Sequence, residues 1–204
     1  MNDFVRVASA VINTTVADTT KNTEEHIKMM KKSSKENVDI TVFPELSITG
    51  YTCQDLFFQK ELLDKTYSSL IEIKKKSEKL KGIFVVGAPI KHKNQLFNCA
   101  VVISNGTVYG IVPKTYLPNY NEFYEKRWFS TSMDLEDTFI NFDGEEVPFS
   151  QNVFDAKGFT FGVEICEDLW TPIPPSTVLS MSGAEIILNL SASNALIGKR
   201  DYIN

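Results

Sequence analysis

Three side chains stand at points where an apolar run breaks into polar chain, and their types could do acyl-transfer chemistry together. In VDITVFPEL (Val38–Leu46) the run ends at Pro44 and Glu45 follows. In TVYGIVPK (Thr107–Lys114) it ends at Pro113 and Lys114 follows. In GFTFGVEICEDLW (Gly158–Trp170) it ends at Cys166, with Glu167 and Asp168 next. Proline cannot donate to a sheet ladder, so the first two runs read as strands stopped at a fixed place. A thiol on a rigid strand end is well placed for nucleophilic attack, a carboxylate can serve as base, and an ammonium can stabilise an oxyanion. Taken singly, each has an ordinary explanation. Cys166 would be a core thiol, Glu45 an exposed loop carboxylate, and Lys114 a charge that discourages edge pairing. Three coincident strand ends weaken that explanation, because open α/β sheets bind ligands outside the carboxyl ends of their strands.

Histidine, the usual partner of a catalytic cysteine, is poorly placed. His26 falls in a lysine-rich helical segment and His92 in a polar loop. A glutamate base fits better, since a carboxylate held away from water can have its pKa raised into the working range.

The elements that would position these residues follow from periodicity and turn chemistry. Phe4–Ile12, Val38–Phe43, Ile83–Ala88, Leu96–Ile103, Thr107–Val112, Asn152–Asp155, Phe159–Ile165 and Glu185–Leu190 read as strands. Asn105-Gly106 predicts a tight hairpin. Thr19–Asn37, entered near Asp18, and Asp55–Lys81, closed by Gly82, read as amphipathic helices, and Pro174–Gly183 as a third. Lys114–Ser150 is long, aromatic and irregular, the kind of segment that carries function inside a compact domain.

Composition excludes several classes. The 204 residues suit one domain or most of one, and the net charge of −5 offers no basic footprint for nucleic acid or anionic membrane. No apolar run approaches a membrane span. Cys53, Cys99 and Cys166 show neither disulfide nor metal-ligand spacing, which suits a reducing cytoplasm.

The ordered set PEL (Pro44–Leu46), PK (Pro113–Lys114) and ICED (Ile165–Asp168) resembles the nitrilase, or carbon–nitrogen hydrolase, superfamily, with its Glu-Lys-Cys triad. Longer stretches, SITGYTCQDL (Ser47–Leu56), PKTYLPNYNEFYEKRWF (Pro113–Phe129) and CEDLWTPIPPS (Cys166–Ser176), are similar to one branch, the glutaminase domains of glutamine-dependent NAD synthetases. The resemblance implies an α/β fold, the nitrilase-like four-layer α-β-β-α sandwich, in which two units pair through helices. It also implies further strands after Asn204 and, in that branch, an ATP-dependent synthetase domain. Residues 1–204 are thus expected to be an incomplete hydrolase domain, truncated at its C-terminal end.

The resemblance further implies glutamine hydrolysis through a Cys166 thioester, with Glu45 as base and Lys114 on the oxyanion. Glu122 matches the second glutamate that orients the lysine, with Glu125 its nearest rival. Glutamine contacts fall at Tyr51, Tyr120, Glu167, Ser193 and Lys199, the last often arginine in the family. No cofactor or metal is implied for this reaction; ATP and Mg would belong to the synthetase domain. Implied partners are glutamine, that domain and a second copy in a homo-oligomer, with neither nucleic acid nor membrane. Two alternatives stand beside this reading: a free-standing amidase on another small amide, and an inactive assembly module.

Overall fold

The computed structural model describes residues 4–135, 138–194 and 196–198. Five strands form the larger sheet: β1 (Val7–Ser9), β2 (Ile40–Val42), β3 (Ile83–His92), β4 (Gln95–Ser104) and β5 (Thr107–Pro113), in that spatial order. β1, β2 and β3 run parallel, and β4 and β5 add as antiparallel hairpins. The β4–β5 turn is the expected Asn-Gly pair, with both residues at positive φ (48° and 75°).

Two helices cover one face. In α1 (Thr19–Lys35) the Asp18 carboxylate caps the first turn by accepting from the Lys21 N–H at 3.1 Å. α2 spans Lys60–Ser77. Ile27 and Met30 of α1 and Leu70 and Ile73 of α2 bury against Phe84, Val86, Val101 and Ile103 of the sheet. The hairpin β6 (Phe139–Phe142) and β7 (Glu145–Pro148) lies within the long segment after Lys114. It is tied to α2 where Lys74 meets Asp143 and Glu145, each at 3.1 Å.

A second sheet packs on the other face. β8 (Val153–Asp155), β9 (Thr160–Ile165) and β10 (Ile186–Leu190) are ordered β10-β9-β8, with β9 and β10 parallel. Val163, Ile165, Leu188 and Leu190 meet Ile40, Val85, Ala100 and Val112 in a shared apolar layer. The seven-residue α3 (Pro175–Met181) lies against β9. The layers therefore run α-β-β-α.

Several expected boundaries shift: β1 is shorter than Phe4–Ile12, β3 runs on past Ala88 so that His92 ends a strand instead of lying in a loop, and α2 differs at both ends. Residues 55–58 belong to a 3-10 segment, Tyr51–Phe58, because Gln54 sits at φ 50° and breaks the helical path. Gly82 is not the helix cap, since α2 ends at Ser77. Its φ of 108° and the 2.7 Å that a Cβ would leave to the Val38 carbonyl oxygen instead make it a tight entry to β3.

Candidate active site

β2, β5 and β9 end at one side of the sandwich and carry Glu45, Lys114 and Cys166. After Phe43 the chain turns at once: Leu46 takes φ 51°, and the Thr49 and Gly50 N–H groups both donate to the Leu46 carbonyl. This turn rests directly on β3 at Gly87, where a Cβ would lie 2.4 Å from the Pro44 oxygen and 2.5 Å from the Leu46 nitrogen. Only glycine allows that approach. From the other side α1 braces the turn. His26 Nε2 pairs with Ser47 Oγ at 2.8 Å, and Asn22 Nδ2 donates to the Ile48 carbonyl at 2.9 Å.

The Glu45 and Lys114 side chains are both 0% exposed. Lys114 Nζ donates to Glu45 Oε1 at 2.6 Å. Asn98 Nδ2 donates to the same oxygen at 2.8 Å, and the Ala192 N–H reaches Oε2 at 3.2 Å. Three donors converge on Glu45 and hold it as an oriented acceptor. The lysine is buried without loss of charge. Burial alone would lower its pKa, but the charges of Glu45 and Glu125 outweigh that and raise it.

Glu125 is the second glutamate on the lysine, and this corrects the expectation for Glu122. Lys114 Nζ lies 2.7 and 2.9 Å from the two Glu125 oxygens, and the Tyr51 hydroxyl donates to Oε1 at 2.7 Å. Glu122 is exposed and lines a neighbouring cavity of about 340 Å³ with Tyr51, Asp55 and Arg127. The physical reason is local. A short 3-10 turn over Glu125–Arg127, entered by the Glu125 N–H donating to the Pro118 carbonyl, folds residue 125 inward. Burial and the Glu45 charge push Glu125 up to about 7, against the pull of Lys114.

Cys166 sits at φ 47°, a left-handed conformation that costs energy for a residue with a Cβ and marks a sharp strand-to-turn break. Its thiol is pushed up to about 11, by burial first and the Glu45 charge second, with Lys114 opposing. Both charged partners therefore act on the sulfur. Asp168 fixes this turn to the lysine strand. Its buried carboxylate accepts from the Ile165 N–H at 3.0 Å and from the Thr115 and Tyr116 N–H groups at 3.1 and 2.7 Å.

The remaining predicted residues distribute unevenly. Tyr120 donates to Glu167 at 2.8 Å, and both line a cavity of about 650 Å³. Tyr51 is turned toward Glu125. Ser193 Oγ lies 3.1 Å from Ser191 Oγ. Lys199 lies outside the described residues. Asn98 and Asp168 were not singled out as site residues from sequence. A lone amide in the otherwise apolar LFNCAVVI run (Leu96–Ile103) is the signal that could have found Asn98.

The Carbon-nitrogen hydrolase family model matches residues 6–200, and the chain belongs to that family. It is 39% identical over 202 residues to the glutamine-dependent NAD(+) synthetase of Mycobacterium tuberculosis, covering 97% of this chain and 30% of that protein. Among solved structures, a glutamine-dependent NAD(+) synthetase from Cytophaga hutchinsonii superposes with a TM-score of 0.86 at 29% identity, covering 98% of this chain and 32% of that one. A mutant Nesterenkonia AN1 amidase from the nitrilase superfamily matches with a TM-score of 0.75 at 18% identity over 96% of this chain and 69% of that one, a likeness of fold. The chain thus spans about 30% of the length of the curated relatives it matches, and its sandwich is of the nitrilase type.

Proposed function

We propose that this chain hydrolyses the side-chain amide of glutamine and, with an ATP-dependent synthetase domain, supplies ammonia for NAD synthesis. The observation that carries the reading is the buried Lys114 ammonium 2.6 Å from Glu45, beside the strand-end thiol of Cys166. The likeness to glutamine-dependent NAD(+) synthetases supports glutamine as the amide.

A thiol raised to about 11 is protonated at neutral pH, so attack requires that its proton leave at the same time. Glu45 takes that proton as Cys166 Sγ adds to the amide carbon. Lys114 and the Glu167 backbone N–H hold the oxyanion. Glu45 then passes the proton to the departing nitrogen, ammonia leaves and a thioester remains. Water attacks the thioester with Glu45 again as base, and the proton returns to the sulfur as glutamate departs. Glu125 keeps Lys114 aimed at the reacting oxygen. Glu167, tied to Tyr120, receives the α-ammonium, and Ser193 and Lys199 contribute to holding the amino acid. Every step uses side chains and backbone of this chain, with no cofactor.

The three cysteines, all free, suit a reducing cytoplasm. Exposed Trp170, Ile173, Val178 and Met181 support a homo-oligomer, which light scattering would read. The direct experiment compares ammonia release from glutamine, asparagine and simple aliphatic amides. Glutamine should be preferred by at least tenfold in kcat/KM; equal rates on aliphatic amides would favour a general amidase.

A further inference from the structure

We infer that Ser191 is a further catalytic residue of this site: its hydroxyl donates to Cys166 Sγ and favours the thiolate form. The inference rests on the proposed role of Cys166 as nucleophile. Strand register brings the two residues together. β9 and β10 are parallel with Leu190 opposite Ile165, so the next residues along, Ser191 and Cys166, leave the sheet side by side. Ser191 Oγ lies 3.3 Å from Cys166 Sγ. β10 is thus a fourth strand ending in a chemically able side chain.

Three neighbours fix this arrangement. The Ala192 N–H donates to Glu45 Oε2 at 3.2 Å, which pins the backbone just after Ser191. Asn189 Nδ2 reaches the Cys166 carbonyl at 3.4 Å and ties β10 to the thiol turn. Ser193 Oγ lies 3.1 Å from Ser191 Oγ, so it can donate there and leave the Ser191 proton for the sulfur.

The thiol otherwise faces a mixed field. Burial and Glu45 oppose the thiolate, Lys114 and the Ala192 N–H favour it, and the phenols of Tyr51 and Tyr120 stay neutral at working pH. Lys114 is already shared between two carboxylates. A hydroxyl aimed at sulfur stabilises the anion and carries no charge of its own to repel Glu45.

The test is the pH dependence of Cys166 alkylation by iodoacetamide, read by peptide mapping. It is run on the full chain and on the near-isosteric variants Ser191→Thr and Ser191→Val, with melting curves to confirm folding. Thr keeps the hydroxyl and should track the wild type. Val should slow alkylation about three- to tenfold below the thiol pKa and move the profile to higher pH, the scale of one net hydrogen bond. Superimposable Thr and Val profiles would overturn the inference and leave the nucleophile assignment intact. A wild-type Cys166 no more reactive than Cys53 or Cys99 would overturn both.

Discussion

Glu125 grips the Lys114 ammonium with both carboxylate oxygens, at 2.7 and 2.9 Å, while Glu122 three residues earlier is exposed. The lysine is therefore held between two carboxylates, one on each side, and its position is set by charge as well as by packing.

The first prediction separates the two glutamates. Glu125→Gln removes a charge from a dry site and should lower kcat/KM for glutamine roughly ten- to hundredfold, the scale of a hydrogen bond to a charged group. Glu122→Gln should stay within about twofold. Steady-state kinetics on the pair checks this, and the reverse order would return the lysine-orienting role to Glu122.

Stability should carry the signature of the same carboxylate. Glu125 is raised in the folded chain to about 7, so between its ordinary value and about 7 the folded state binds more protons than the unfolded one. Its contribution is complete at low pH and is lost as pH rises through that window. Asp168, raised to about 6 chiefly by burial, has the same sign over a lower window. Urea midpoints should fall from pH 5 to 7.5 less in Glu125→Gln than in the wild type. Parallel slopes would contradict the coupling.

How much of this was legible in the sequence depended on how each residue is constrained. Glu45, Lys114 and Cys166 could be located because apolar runs and prolines mark where β2, β5 and β9 stop, and strand ends are local properties. The choice between Glu122 and Glu125 was not legible. Both lie in an aperiodic loop, and which side chain turns inward depends on a single 3-10 turn docked on Pro118. The start of α2 was misplaced for a similar reason: nothing in the composition of TCQDLFF announces the positive φ of Gln54. Asp168 was visible as a carboxylate beside the thiol, but its role depends on the Thr115 and Tyr116 backbone, just past the end of β5 and more than fifty residues away in sequence.

Gly87 offers a test of how the Glu45 turn is seated. In Gly87→Ala the new methyl would meet backbone atoms of Pro44 and Leu46 at 2.4 and 2.5 Å, and backbone cannot step aside as a flexible side chain can. We expect a loss of about 1–3 kcal/mol in stability. Activity measured well below the melting temperature should fall further than that loss explains, because Glu45 is displaced. A variant with wild-type melting and turnover would show that the turn has slack.

Asp168 should prove essential to holding the thiol turn against the lysine strand. Asp168→Ala leaves three backbone N–H groups without their acceptor, each an unsatisfied donor costing about 1–3 kcal/mol if it stays dry. Thermal melts should show a severe drop, with Asp168→Asn intermediate because an amide can still accept from one side. Equal melting of the Ala and Asn variants would mean that water replaces the carboxylate.

The central claim is that glutamine passes through a thioester on Cys166, and partitioning with hydroxylamine tests it most directly. A thioester yields γ-glutamyl hydroxamate when hydroxylamine competes with water. With glutamine as substrate, hydroxamate should therefore rise at the expense of glutamate while ammonia release continues, and Cys166→Ala should form neither product. Ammonia release that persists in Cys166→Ala, or that proceeds in the wild type without any hydroxamate, would contradict the account.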